Sequence, residues 1–175
     1  MDFELEHATE ILARTPATLR TLLSGLSEGW VIGDEGPDTW SPTDVLKHLI
    51  HGEEVDWIPR AQIILQHGES FTFEPFDPLA FEGRESGSGK CIEDLLVTFE
   101  TLRSRNLAVL ENMDLTESQL ELCGTHPEFG RVTLGQLIST WATHDLSHIV
   151  QIARVMTKQY EDAVGPWKKY LSVLK

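Results

Sequence analysis

Four stretches of this chain repeat their apolar residues at separations of three, four and seven, and none shows a convincing alternation of apolar and polar positions. Helical stripes of that kind have to be buried against one another, so the pattern predicts an all-α fold, a four-helix bundle. The first stretch covers residues 3–26, with Leu5, Ile11, Leu12, Leu19, Leu22, Leu23 and Leu26 on one face. Pro16 falls inside it. An interior proline lacks the N–H for one helical hydrogen bond, so a bent helix or a late start is expected there.

Residues 33–38 are turn chemistry, after which Ser41 supplies an N-cap and Pro42 a suitable first helical residue. The second helix carries Val45, Leu46, Leu49 and Ile50, and Pro59 is expected to kink or divide it before Ile63 and Ile64 resume the pattern. Ile92, Leu95, Leu96, Phe99, Leu102, Leu107 and Leu110 define a third helix of about six turns. The fourth begins at Thr133 or Leu134 and ends near Lys158, with Leu137, Trp141, Ile152 and Val155 on its buried side. Between the second and third helices, residues 67–90 form a long loop rich in glycine and proline that also carries Phe71, Phe73, Phe76 and Phe81. A loop of that length is usually functional or mobile, and its phenylalanines suit either a cover over the bundle or packing filler. Residues 116–119 and 125–130 interrupt the helical pattern, and after Gly165-Pro166 a short terminal helix with Trp167, Tyr170, Leu171 and Leu174 is expected to dock on the bundle.

A chain of 175 residues with 41% hydrophobic content suits one domain, residues 1–175. Its 14 Lys and Arg stand against 28 Asp and Glu, and the resulting charge of −14 repels phosphate backbones and anionic lipid surfaces. Nucleic acid and membrane are therefore poor partners. No run approaches the ~18–20 apolar residues of a spanning helix, and the acidic start Met1-Asp2-Phe3-Glu4 lacks the cationic head of a secretory signal, so a cytoplasmic location is expected. Cys91 and Cys123 are far apart and form no Cys-x-x-Cys, which leaves them as ordinary thiols rather than a zinc knuckle or a redox pair.

His144 and His148 stand four residues apart, one helical turn, on the face that also carries Leu137, Trp141 and Val155. Two imidazoles pointing into a bundle need partners, since an unsatisfied buried polar group costs ~1–3 kcal/mol, and a shared cation would serve both. The pair does not make a His-Glu-x-x-His protease motif, because Asp145 stands where the water-activating glutamate would be. A third ligand is available in His48, one turn after Val45 and one turn before Gly52, which leaves room beside it. His51 lies roughly 60° off that face and ranks below it. His7, His67 and His126 fall in the contexts of ordinary surface or loop histidines.

Taken together, Trp40-Ser41-Pro42, His48-Leu49-Ile50, Phe129-Gly130-Arg131-Val132-Thr133-Leu134, the run from Trp141 through His144-Asp145-Leu146-Ser147-His148, Gln151-Ile152 and the closing Gly165-Pro166-Trp167 with Tyr170-Leu171 resemble the DinB-like superfamily of metalloenzymes. The resemblance implies a four-helix bundle, often a homodimer, in which His48, His144 and His148 would bind zinc, nickel or iron and leave at least one coordination position open. It also implies a small-molecule substrate, in some relatives together with a low-molecular-weight thiol.

A dication held by three neutral imidazoles keeps its full charge and can acidify water or a thiol at neutral pH. Asp145 and Gln151 flank the ligands and are candidates to orient an imidazole or a substrate, with solvent exposure or helix capping as the alternative for Asp145. Glu53 and Glu54 read as a solvated acidic face, the alternative being a base near the site. Three functions stay open on these residues: a metal-dependent hydrolase or thiol-dependent transferase, a non-catalytic metal or small-molecule sensor, and a structural metal in a partner-binding bundle.

Overall fold

The computed structural model describes residues 3–80 and 91–175. In chain order its elements are α1 (Leu5–Leu23), α2 (Glu28–Ile32), α3 (Pro42–Val55), α4 (Trp57–His67), α5 (Ile92–Asn112), α6 (Glu117–Leu120), the strands β1 (Cys123–His126) and β2 (Gly130–Thr133), and α7 (Leu134–Lys158). Helix starts are set by side chains that close the first turn. Ser41 accepts from the Asp44 N–H while the Asp44 carboxylate accepts from the Ser41 N–H, and Pro42 sits in the first turn of α3, where its missing N–H is not needed. Thr133 and Gln136 repeat that capping box at α7. A cap of this kind is worth ~0.5–2 kcal/mol.

α1 packs on α5 and α7, and α3 packs on the same two, so the long helices form a ring in the order α1, α5, α3, α7. The apolar core is in two parts. One gathers Leu12, Trp57, Ile64, Phe73, Leu110 and Trp141; the other gathers Leu19, Leu46, Leu49, Leu95, Phe99 and Ile152. Along α3 the two parts are separated by Glu53, along α5 by Arg103 and Asn106, and along α7 by Asp145, all buried. A polar layer therefore crosses the bundle at mid-height, and the candidate site lies in it.

Several local expectations are modified. α1 runs unbroken through Pro16, because the Leu12 carbonyl that proline leaves without a helical donor accepts from Arg103 Nη1 at 2.9 Å instead. The second stretch does divide, but at Asp56, and Pro59 sits in the first turn of α4. Residues 123–133 form an antiparallel hairpin with Cys123 opposite Thr133 and His126 opposite Gly130. Its turn is held by His126 Nδ1, which accepts from the N–H groups of Glu128 and Phe129, and Gly130 takes a φ of +71° that favours glycine. The tail forms short 3-10 turns, Gly165–Tyr170 and Ser172–Leu174, and Trp167 and Tyr170 are exposed to solvent while Leu171 and Leu174 are half-buried. Of the long loop, Phe73 is core filler, Phe76 lies over the candidate site, and Phe71 is exposed; Phe81 lies outside the described residues. Among the described residues no helix is long and apolar enough to cross a membrane.

Candidate metal centre

His48 is carried by α3, and His144 and His148 by α7, on the faces the two helices turn to each other. His48 Nε2 lies 3.1 Å from His144 Nε2, which lies 3.0 Å from His148 Nε2, and the three donor atoms are all within 4.8 Å of one another. Two nitrogens bound at ~2.1 Å to one cation stand ~3.0–3.4 Å apart for bond angles between ~90° and ~109°. The spacing of His144 from each of the other two is that of ligands on one shared ion.

The aim of each ring is set by its neighbours. Gln151 Oε1 lies 2.7 Å from His148 Nδ1; a carbonyl oxygen can only accept, so Nδ1 carries the proton and Nε2 presents a lone pair. Trp40 packs on His48 at 4.8 Å and stacks on His148 at 6.4 Å between ring centres, Phe76 meets His48 edge-on at 5.5 Å, and Trp57 meets His144 edge-on at 5.1 Å. The room beside His48 that Gly52 leaves is taken by Trp57: a Cβ at Gly52 would meet the indole Nε1 at 3.2 Å.

Burial pushes the His48 imidazole down to about 4, helped by the nearby His148, although the Pro78 backbone favours its protonated form. Burial likewise takes His144 down to about 3, with His148, His48 and Arg103 acting in the same direction. His148 is lowered by burial against the opposing pull of Gln151 and Asp145. All three rings are thus neutral at physiological pH, which is the state a metal requires. They cannot satisfy each other, because His144 Nε2 faces two neighbours with at most one hydrogen to share, and its buried Nδ1 has no hydrogen-bond partner among the described residues. With the ring protons of His48 and His144 on Nδ1, all three Nε2 atoms present lone pairs to one point, an arrangement that fits a dication.

A pocket of about 490 Å³ opens beside His48 and His144, walled by Trp57, Phe76 and Phe129 and bearing the Asp56–Arg60 ion pair, with 2.6 Å between Oδ1 and Nε. The hairpin turn supplies Phe129 and His126, so the segment that breaks the helical pattern in the sequence closes one side of the site. His51 is buried and stacks on Phe76 at 4.9 Å, outside the three-histidine cluster.

One expectation is corrected and one alternative falls away. Glu53 is no part of a solvated acidic face: it is 3% exposed and accepts from Arg103, Asn106 and Trp141. Asp145 neither faces solvent nor caps a helix; it is wholly buried and its carboxylate is taken by Arg103. Reading the sequence for histidines passed over Arg103, Asn106 and the donor role of Trp141, although a signal was present. Leu96, Arg103 and Leu110 are spaced by seven, so the arginine stands on the apolar stripe of its own helix.

A family model described as DinB superfamily matches residues 11–152. The chain belongs to the DinB superfamily. Among solved structures this DinB-superfamily chain is similar to YfiT from Bacillus subtilis, described as "a probable metal-dependent hydrolase with an unusual four-helix bundle topology", with a TM-score of 0.75 and 20% sequence identity over 88% of this chain and 86% of that one. At that identity the likeness concerns the fold: the DinB-superfamily bundle of this chain follows the four-helix topology of YfiT, with the two-stranded hairpin as its one sheet among the described residues. No curated protein matches the chain.

Proposed function

We propose that this chain is a metal-dependent enzyme acting on a small molecule, with His48, His144 and His148 as the metal ligands and the adjoining pocket as the substrate site. The observation that carries the reading is the convergence of three neutral imidazole nitrogens from two helices at separations suited to one ion. Zinc and nickel suit this donor set best, with iron also compatible, and a bound dication would supply Lewis acidity strong enough to acidify water or a thiol towards neutral pH.

The residues of the chain supply the rest. Gln151 holds the His148 ring by its Nδ1 proton, so that its Nε2 lone pair is aimed inward. Trp57, Phe76 and Phe129 give the pocket apolar walls that bind a substrate body and exclude water from its reacting bond, while Arg60 is the permanent cation among the pocket residues and orients an anionic or carbonyl group. A metal-dependent hydrolase, the class in which YfiT is described, and a transferase using a small thiol both fit this arrangement.

Elemental analysis of untagged protein and of His48→Ala tests the metal. Near-stoichiometric zinc, nickel or iron in the first and its loss from the second is expected, and absence of metal from both, even after reconstitution, refutes the ligand assignment. Metal-loaded protein is then offered model esters and thiols with electrophiles. Turnover lost in His148→Ala is expected, and turnover unchanged by that substitution would place the chemistry elsewhere.

A further inference from the structure

On three helices of the bundle a charged residue occupies a position whose seven-residue neighbours are apolar: Leu46 and Glu53 on α3, Leu96, Arg103 and Leu110 on α5, Ile138, Asp145 and Ile152 on α7. Such positions face the bundle axis. There the three side chains meet, with Arg103 1% and Asp145 0% exposed. Arg103 Nε and Nη2 donate to Glu53 Oε1 at 3.1 and 2.7 Å, while Nη1 and Nη2 donate to Asp145 Oδ2 and Oδ1 at 2.5 and 3.0 Å. Nη1 also donates to the Leu12 carbonyl, the acceptor that Pro16 leaves open in α1. One guanidinium therefore holds a group from each of the other three helices. Glu53 is fixed in turn by Asn106 Nδ2 and by Trp141 Nε1, both at 2.9 Å.

A buried ion cluster rarely stabilises a fold more than apolar residues of the same volume would, because desolvation offsets the attraction; what it adds is direction. Here the direction concerns the helices that carry the imidazoles. Asp145 adjoins His144 on α7, and Glu53 follows His48 by little more than one turn on α3. The backbone of α7 fixes His144 against His148 by itself, whereas the approach of His48 depends wholly on how α3 is set against α7. Arg103 bonds both helices within one planar fork, and a planar fork tolerates little sliding.

We propose that Arg103 is the positioning residue of the metal centre, holding α3 and α7 in the relation that brings His48 to the other two imidazoles. The proposal depends on a dication sitting at those three rings, as proposed above. A wholly structural role predicts something different: substitution would lower stability but leave the folded protein binding metal as before.

The test uses the full chain and cobalt(II) as a spectroscopic probe, with affinity measured by chelator competition under conditions where circular dichroism shows each protein folded. Arg103→Lys keeps the charge and loses the fork, and Glu53→Gln weakens the bonds that the α3 carboxylate accepts from Arg103 and from Trp141 of α7. Each is expected to bind Co²⁺ at least tenfold more weakly than the parent, in line with the ~10–100-fold effects of groups that orient metal ligands, and to shift the visible absorption of the bound ion. Affinity within threefold of the parent and an unchanged spectrum in either folded variant would overturn the proposal. So would failure of both variants to fold in saturating Zn²⁺, since the cluster would then support the fold and not the site. A parent protein that binds no Co²⁺ refutes the metal reading itself, and is told apart by its not depending on any substitution in the cluster.

Discussion

Arg103→Met is the substitution whose cost follows most directly from the packing. It removes the shared donor of two carboxylates whose side chains are both 0% exposed. Breaking a buried pair from one side costs ~3–5 kcal/mol, because it strands an uncompensated charge. Asp145 bears the larger share: Glu53 keeps its bonds from Asn106 and Trp141, whereas both oxygens of Asp145 are bonded by Arg103. The Leu12 carbonyl also loses its donor, adding ~1–3 kcal/mol at a helix position that Pro16 cannot repair. Against a typical total of ~5–15 kcal/mol, a loss of ~4–8 kcal/mol leaves the variant marginal. The triple variant Arg103→Met, Glu53→Met, Asp145→Leu removes the stranded charges as well. It still leaves the Leu12 carbonyl and Trp141 Nε1 without their partners, so it should lie ~2–3 kcal/mol below the parent and above the single variant. Urea unfolding followed by far-UV circular dichroism gives both values. A single variant within ~1 kcal/mol of the parent, the range of an exposed ion pair, would refute the reasoning, as would a triple variant no more stable than the single one.

Three further outcomes are expected. Gln151→Leu removes the acceptor for His148 Nδ1 and should weaken zinc binding ~10–100-fold in a chelator competition; unchanged affinity would show that the ring is aimed by its aromatic neighbours alone. Pro16→Ala should raise stability in urea by less than about 1 kcal/mol rather than the ~3 kcal/mol typical of an interior proline, because Arg103 already satisfies the carbonyl involved, and a gain near 3 would contradict that compensation. In the metal-free protein His48 and His144 sit at about 4 and about 3, below the unfolded ~6.5, so on acidification the unfolded chain binds protons first. Stability should therefore fall as pH drops from ~6.5 towards ~4, by up to ~1.4 kcal/mol per pH unit per histidine, and the urea midpoint should fall with it. A midpoint constant over that range, or the same slope in His48→Ala and His144→Ala, would rule the cause out.

Much of the bundle was legible because helix boundaries are local. Ser41 with Pro42 and Thr133 with Gln136 close first turns from within a few residues, and the observed starts of α3 and α7 are those the sequence predicts. The hairpin was not legible. Cys-Gly-Thr-His and Gly-Arg-Val-Thr carry no alternation, and β1 is held partly from outside: Phe73 N–H donates to the Thr125 carbonyl, and Gly124 is packed so closely that a Cβ would stand 2.7 Å from the Phe73 ring. Such contacts join residues some fifty positions apart, and no window of sequence contains them.

The site divides along the same line. His144 and His148 belong to one helix, and the 3.6-residue turn alone puts their rings side by side, so their pairing was fixed by spacing in the chain. That His48 reaches them was decided only by how α3 lies against α7, since a distance between helices is a sum of packing contacts made by all four. The charges on the apolar stripes, Glu53, Arg103 and Asp145, were visible as breaks in a periodic pattern, yet whether they faced water or one another depended on that same packing. Local hydrogen-bond geometry is encoded within a few residues; the dielectric around a side chain is a property of everything folded over it.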